Sequence, residues 1–134
     1  MISVDWGDPQ ETFLVMFVEG EWTTPMMLEA TKKVNTLVAS KSYIVHLLID
    51  MHTAGTMPRD VFTLLPTLIR HRPKNAGETI VISKNSIWHN LWQILSKATN
   101  YIHEHDFIFV ADANEAYTIL NAHRNSAEKT EDMP

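Results

Sequence analysis

The sequence predicts a single α/β domain, in which a mixed, mainly parallel sheet of roughly four to five strands carries about four helices. Three observations predict it. Apolar runs of strand length alternate with segments of helical periodicity, and that alternation implies crossover connections. The run Ile44 to Ile49 is apolar on both faces apart from His46, as suits a central strand covered by helices on both sides. The chain has 134 residues, 45% of them hydrophobic, enough for one core without covalent staples.

The elements follow in order. Ile2 to Trp6 reads as a short leading strand, with Gly7-Asp8-Pro9 as its turn. Phe13 to Val18 is a continuous apolar run bounded by Gly20. In Thr23-Thr24-Pro25, Thr24 suits the N-cap and Pro25 the first helical position, where a missing N–H costs nothing. Met27, Ala30, Thr31, Val34, Leu37 and Val38 then recur at helical spacing and predict one buried stripe. After the strand at Ile44 to Ile49, Val61, Leu64, Leu65, Leu68 and Ile69 give a second stripe. Pro66 inside it predicts a kink or a late start. Thr79 to Ile82 is a short strand rich in branched residues. A third helix, capped by Asn85 or Ser86, carries Ile87, Leu91, Ile94, Leu95 and Ala98, with Trp88 and Trp92 widening its stripe. Phe107 to Val110 is the last strand. Asp112-Ala113-Asn114-Glu115 has the form of a capping box. The final helix offers Ala116, Ile119, Leu120 and His123 to the core. Residues 1–124 form the domain, and the polar stretch 125–134 is expected to be disordered.

Composition narrows function. With no cysteine, disulfides and thiolate metal sites are excluded, and a cytoplasmic location fits. No apolar run approaches the roughly 20 residues that span a bilayer, so no integral membrane segment is expected. MISVDWGDPQ lacks the basic-then-apolar form of a secretory signal. A net charge of −5 disfavours nucleic acid as a partner. The basic cluster Arg70-His71-Arg72-Pro73-Lys74 reads as cations at a helix end, before phosphate binding. Gly7, Gly20, Gly55 and Gly77 are the only glycines. They form no nucleotide-binding loop, and no cofactor is expected.

The stretch LLIDMHTAGTMPRD, residues 47–60, holds most of the candidate functional residues. It follows the carboxyl end of a parallel strand, where ligands usually meet such sheets. Asp50 reads either as a carboxylate that accepts loop N–H groups or as a general acid or base working with a nearby histidine. His103-Glu104-His105-Asp106 reads as a solvated loop before a metal site, so no metal is expected. Trp88 and Trp92, at i and i+4, share one helix face. They either fill the core or line a pocket or an interface. Met26, Met27, Met51 and Met57 add adaptable apolar surface or fill the core.

The element order, with the exit VEGEW at 18–22, the strand LLIDM at 47–51 and the segment ETIVISKNSIWHNLWQILSK at 78–97, resembles the STAS family of sulfate-transporter and anti-sigma-factor-antagonist domains. The resemblance is to its divergent branch of small stand-alone bacterial proteins. It covers Ile2 to His123 and rests on the order and spacing of elements. It implies a STAS-like fold and a non-catalytic regulatory or binding module acting through a protein partner, with a surface at Asp50, Thr53, Thr56, Met57 and Asp60. Family members carry a phosphorylated Ser or Thr at the start of the helix after the LIDM-type strand, which controls binding to an anti-sigma factor. Here no serine lies between Asp50 and Val61, and Thr56 is the candidate for phosphorylation. The alternatives are a carrier of an apolar small molecule or lipid, with Trp88, Trp92 and Met57 lining the pocket, and an Asp50-dependent enzyme. A homodimer through the Trp-bearing helix is a further expectation.

Overall fold

The structure, a computed structural model, describes residues 1–61, 63, 70–83 and 107–131, with side chains described as far as His123. Its elements are β1 (Ile2–Trp6), β2 (Phe13–Gly20), α1 (Thr24–Ala39), β3 (Val45–Ala54), β4 (Ala76–Ile82), β5 (Phe107–Val110) and α2 (Ala113–Glu131). The strands form one five-stranded sheet in the order β1-β2-β3-β4-β5. β1 is antiparallel to β2, and each later neighbour is parallel. The predicted mixed, mainly parallel sheet is therefore present. Of the expected helices, the first and last are seen. The expected helices around Leu64 to Ile69 and Ile87 to Ala98, with Pro66, Trp88 and Trp92, lie outside the described residues, as does His103 to Asp106.

Alternation along the strands divides the core in two. Leu14, Met16 and Val18 of β2, Val45 of β3 and Val81 of β4 pack with Met27, Ala30, Val34 and Val38 of α1. Phe13, Leu48, Ile80, Ile82 and Val110 turn to the other face and meet Ala116 and Leu120 of α2. Both predicted helical stripes thus face the sheet, one from each side. Leu37 is only partly buried. Met27 and Met51, 8% exposed each, are core residues. Only Met26 and Met57 of the four methionines stand partly open.

Several boundaries differ from the sequence reading, each for a physical reason. The N-cap is Thr23, whose side chain accepts from the Met26 N–H, and the helix starts at Thr24. Two adjacent threonines offer two caps, and a tertiary partner described below draws Thr24 away. Ile44 is 54% exposed and precedes its strand. β4 begins at Ala76, because Ala76 already pairs with Val45. Asp112 caps α2 as expected, with Oδ1 accepting from the Glu115 N–H at 2.8 Å. The backbone of α2 continues helical past Asn125 to Glu131, into the stretch whose composition predicts no burial.

Asn75 has a role that the sequence does not announce. Its Nδ2 donates to the carbonyls of Val38, Lys41 and Tyr43 at 2.7, 3.2 and 2.9 Å. The last carbonyls of α1 already accept from the Ser40 and Lys41 N–H groups. Asn75 adds a second donor at Val38, satisfies two carbonyls of the turn, and so ties the start of β4 to the α1–β3 turn. Nearby, Arg72 donates from Nη2 to the Gly77 carbonyl at 2.6 Å and lies 5.9 Å from the centre of the Phe107 ring. That gives one member of the basic cluster a structural task.

Candidate functional site

The region to which the sequence points lies at the carboxyl ends of β2 and β3. The sequence reading ends β3 at Ile49 and places Asp50 where the chain turns. The structure corrects this. β3 runs on to Ala54, pairing Thr53 with Glu19 and Ala54 with Gly20. Polar side chains do not stop a strand whose neighbour continues, because the ladder bonds are made by backbone. The register slips on the way: Phe17 faces Asp50, but Glu19 faces Thr53. β3 therefore carries one residue more than β2 over this span, a bulge that redirects its side chains.

Asp50 serves that bulge. Its Oδ1 accepts from the His52 N–H at 3.1 Å and also contacts His52 Nδ1. The Asp50 side chain is 18% exposed and that of His52 44%. The Phe17 ring meets the His52 ring edge-on, with centres 6.1 Å apart. Asp50 thus accepts a backbone N–H, as the structural reading expects, and it also has the neighbouring histidine that the enzymatic reading requires.

The loop from Gly55 to Asp60 is anchored at three points. The Gly55 N–H donates to the Gly20 carbonyl at 2.8 Å. Gly20 makes this approach at φ +63°, in the left-handed region that glycine enters without steric cost. Met57 packs on the α1 side of the core, in the cluster that includes Val61. At the far end, Asp60 Oδ1 accepts from Thr24 Oγ1 at 2.6 Å. This is the partner that turns Thr24 from capping its own helix. Thr53, Thr56 and Arg59 remain exposed, as do Glu19 at the end of β2 and Glu21 in the turn that follows.

The predicted site residues therefore divide. Thr53, Thr56, Met57 and Asp60 share one anchored segment. Asp50 points to the opposite face of the sheet from Met57, since its partner Phe17 follows Phe13 and Val15 in strand alternation. Trp88 and Trp92 lie outside the described residues. The sequence reading assigned Thr24 to the helix cap and missed its role as the anchor of Asp60. Its signal was the second hydroxyl beside a cap, a donor left over once the first has been used.

Replacing Thr24 with valine tests the anchor. The group is buried, at 4% exposed, and a hydrogen bond to a carboxylate is worth about 1.5–3 kcal/mol. We expect a loss of about 1.5 kcal/mol in urea unfolding and faster amide exchange confined to residues 55–63. Unchanged exchange there would show that the loop is held without Thr24.

The comparisons with known proteins agree with this architecture. The crystal structure of an uncharacterized protein of the DUF3478 family from Shewanella loihica PV-4, described as having a SpoIIAA-like fold, superposes with a TM-score of 0.62. The match covers 90% of this chain and 92% of that one, at 16% sequence identity. The fold is STAS-like. At that identity the likeness is one of fold alone. No family model matches the chain, and no curated protein does. Among the described residues no helix is long and apolar enough to cross a membrane, and no cluster of three or more His, Cys, Asp or Glu side chains is placed to hold a metal ion.

Proposed function

We infer that the protein is a non-catalytic, cytoplasmic binding module that acts through a protein partner docked on Thr53 to Asp60 and the start of α1. One observation carries this reading. The loop is fixed at Gly55, Met57 and Asp60 while its intervening polar groups stay exposed. A surface ordered in advance spends little entropy on binding. Glu19, Glu21 and Asp60 outnumber Arg59 along this rim, which favours a partner with a cationic face. Thr56 is the position for a regulatory phosphate: it is exposed, and new negative charge there strengthens the rim's attraction for a cationic face.

Cross-linking in a cell lysate, with wild type compared against Arg59→Glu and Thr56→Glu, tests the reading. Partners captured through this surface change in yield with both variants. An identical partner profile in all three proteins removes the surface from consideration, and an unaltered profile for Thr56→Glu alone removes the phosphate switch.

The carrier reading is favoured by a different observation. The Trp22 indole N–H is buried, with no hydrogen-bond partner among the described residues. It belongs to the same apolar cluster as Met27, Met51 and Val61, against which Met57 packs. A buried unpaired donor costs about 1–3 kcal/mol, and the carbonyl or carboxyl head of an apolar ligand would satisfy it. Titration with fatty acids, read by tryptophan fluorescence, separates the two readings. A saturable change lost in Trp22→Phe supports the carrier, and a flat titration eliminates it.

A further inference from the structure

β1 lies at the end of the sheet order, and its outer edge is unpaired among the described residues. A bare edge templates another strand, so proteins guard edges with proline, lysine, a bulge or an inward-pointing charge. β1 carries none of these guards. Its sequence is Ile2-Ser3-Val4-Asp5-Trp6, and its register with β2 is unbroken from Ile2↔Val18 to Trp6↔Leu14. The one charge, Asp5, pairs with Val15 and so lies on the face away from α1. Beside the edge is an open groove of about 700 Å³, lined by residues that include Val4, Met26, Glu29, Ala30 and Lys33.

We propose that this edge and groove receive a second copy of the chain, β1 pairing antiparallel with the partner's β1 about a twofold axis. A strand edge that pairs with its own copy and closes does so through a twofold. With Val4 on the axis, Ile2 faces the partner's Trp6 and Ser3 faces the partner's Asp5. An aliphatic residue against an aromatic one, and a hydroxyl against a carboxylate, are favourable cross-strand pairs, and no like charges meet. α1 repeats the pattern. Glu29 and Lys33 stand one turn apart on the groove side, and a reversed copy presents the partner's Lys33 and Glu29 in the opposite order. The charges of this helix flank are thus complementary to themselves. Two independent features, one on the strand and one on the helix, match a reversed copy of this same chain, and that selects the occupant. The dimer continues the sheet from one subunit into the next and leaves the 53–60 loop of each copy free.

Sedimentation equilibrium of the full chain tests the proposal. The wild type is expected to dimerise with a dissociation constant on the order of 10 µM, as a small interface allows. Ser3→Asp sets a carboxylate against the partner's Asp5 and weakens the dimer by about tenfold, while Ser3→Lys leaves it as tight or tighter. Lys33→Glu weakens it by a similar factor, and the exchange Glu29→Lys with Lys33→Glu restores it. Glu29 and Lys33 are exposed, and far-UV circular dichroism verifies that each variant is folded. A wild type that stays monomeric at about 1 mM, or a dimer indifferent to the sign of charge at Ser3 and at Lys33, overturns the proposal.

Discussion

Leu14→Ala is expected to remove about 3–4 kcal/mol of folding stability, the largest loss from any single truncation on the α1 face of the sheet. Leu14 is 0% exposed. Its strand is flanked on both sides, with Trp6 of β1 and Leu47 of β3 as its register partners. Above it lies the α1 stripe of Met27, Ala30, Val34 and Val38. A cavity opened there is walled by paired backbone on two sides and by a helix on a third, so the surroundings collapse little and most of the lost contact is felt. For a chain of this length the loss corresponds to a melting temperature lower by about 10 °C. Val15, the next residue, faces α2 and is only partly buried, so Val15→Ala costs about 1 kcal/mol. Urea unfolding of the two variants measures the contrast. Similar losses would mean that β2 is not covered as described.

The strand itself was legible in the sequence as an apolar run from Phe13 to Val18, but an unbroken run carries no mark of which face is covered more deeply. The bounds of β1 and β5 were legible too, where apolar residues stop against Gly7 at one end and against Asp106 and Ala111 at the other. The ends of β3 were not. His52 and Thr53 look like loop residues, yet the strand passes through them, because β2 extends to Gly20 and holds the ladder open for partners. The bulge at Asp50 has no sequence mark: its cause is a mismatch between two strands far apart in the chain. The choice between Thr23 and Thr24 as cap was settled by Asp60, 36 residues away. Asn75 binds the Val38 carbonyl of a helix that ended well before it in the chain. Periodicity reports local burial, and each of these features is a long-range polar contact, for which periodicity carries no signal. For the candidate site, the sequence named the segment from Thr53 to Asp60 and missed what holds it, the Gly55 N–H on Gly20 and the Thr24 hydroxyl on Asp60. That distinction matters for function. A loop fastened by Gly55, Met57 and Asp60 is a shaped surface, whereas the same residues unfastened would have to be ordered by whatever binds them.

Gly77→Ala is expected to cost about 2–3 kcal/mol, and most of that cost should vanish when His46 is alanine. A Cβ at Gly77 would fall on the His46 ring and 2.8 Å from Cγ2 of Ile44. The ring cannot simply swing aside. His46 is 6% exposed, its Nδ1 accepts from the Glu78 N–H at 3.0 Å, and its far side meets the His123 ring of α2, with centres 6.1 Å apart. The absent side chain at Gly77 therefore makes room for a histidine that satisfies the next backbone N–H along β4. That pairing explains how a polar residue interrupts the apolar run of β3 without breaking it. His46→Ala alone leaves the Glu78 N–H without its acceptor and opens a void beside α2, a loss of about 2–3 kcal/mol. In that background the new methyl at Gly77 enters space already vacated, so the double variant should be little worse than His46→Ala. A double-mutant cycle by urea unfolding then gives a favourable coupling of about 2 kcal/mol between sites 31 residues apart in sequence. Simple additivity would instead place the strain of Gly77→Ala on the backbone or on Ile44, and the close fit of Gly77 to the histidine ring would not be what holds β3 and β4 in register.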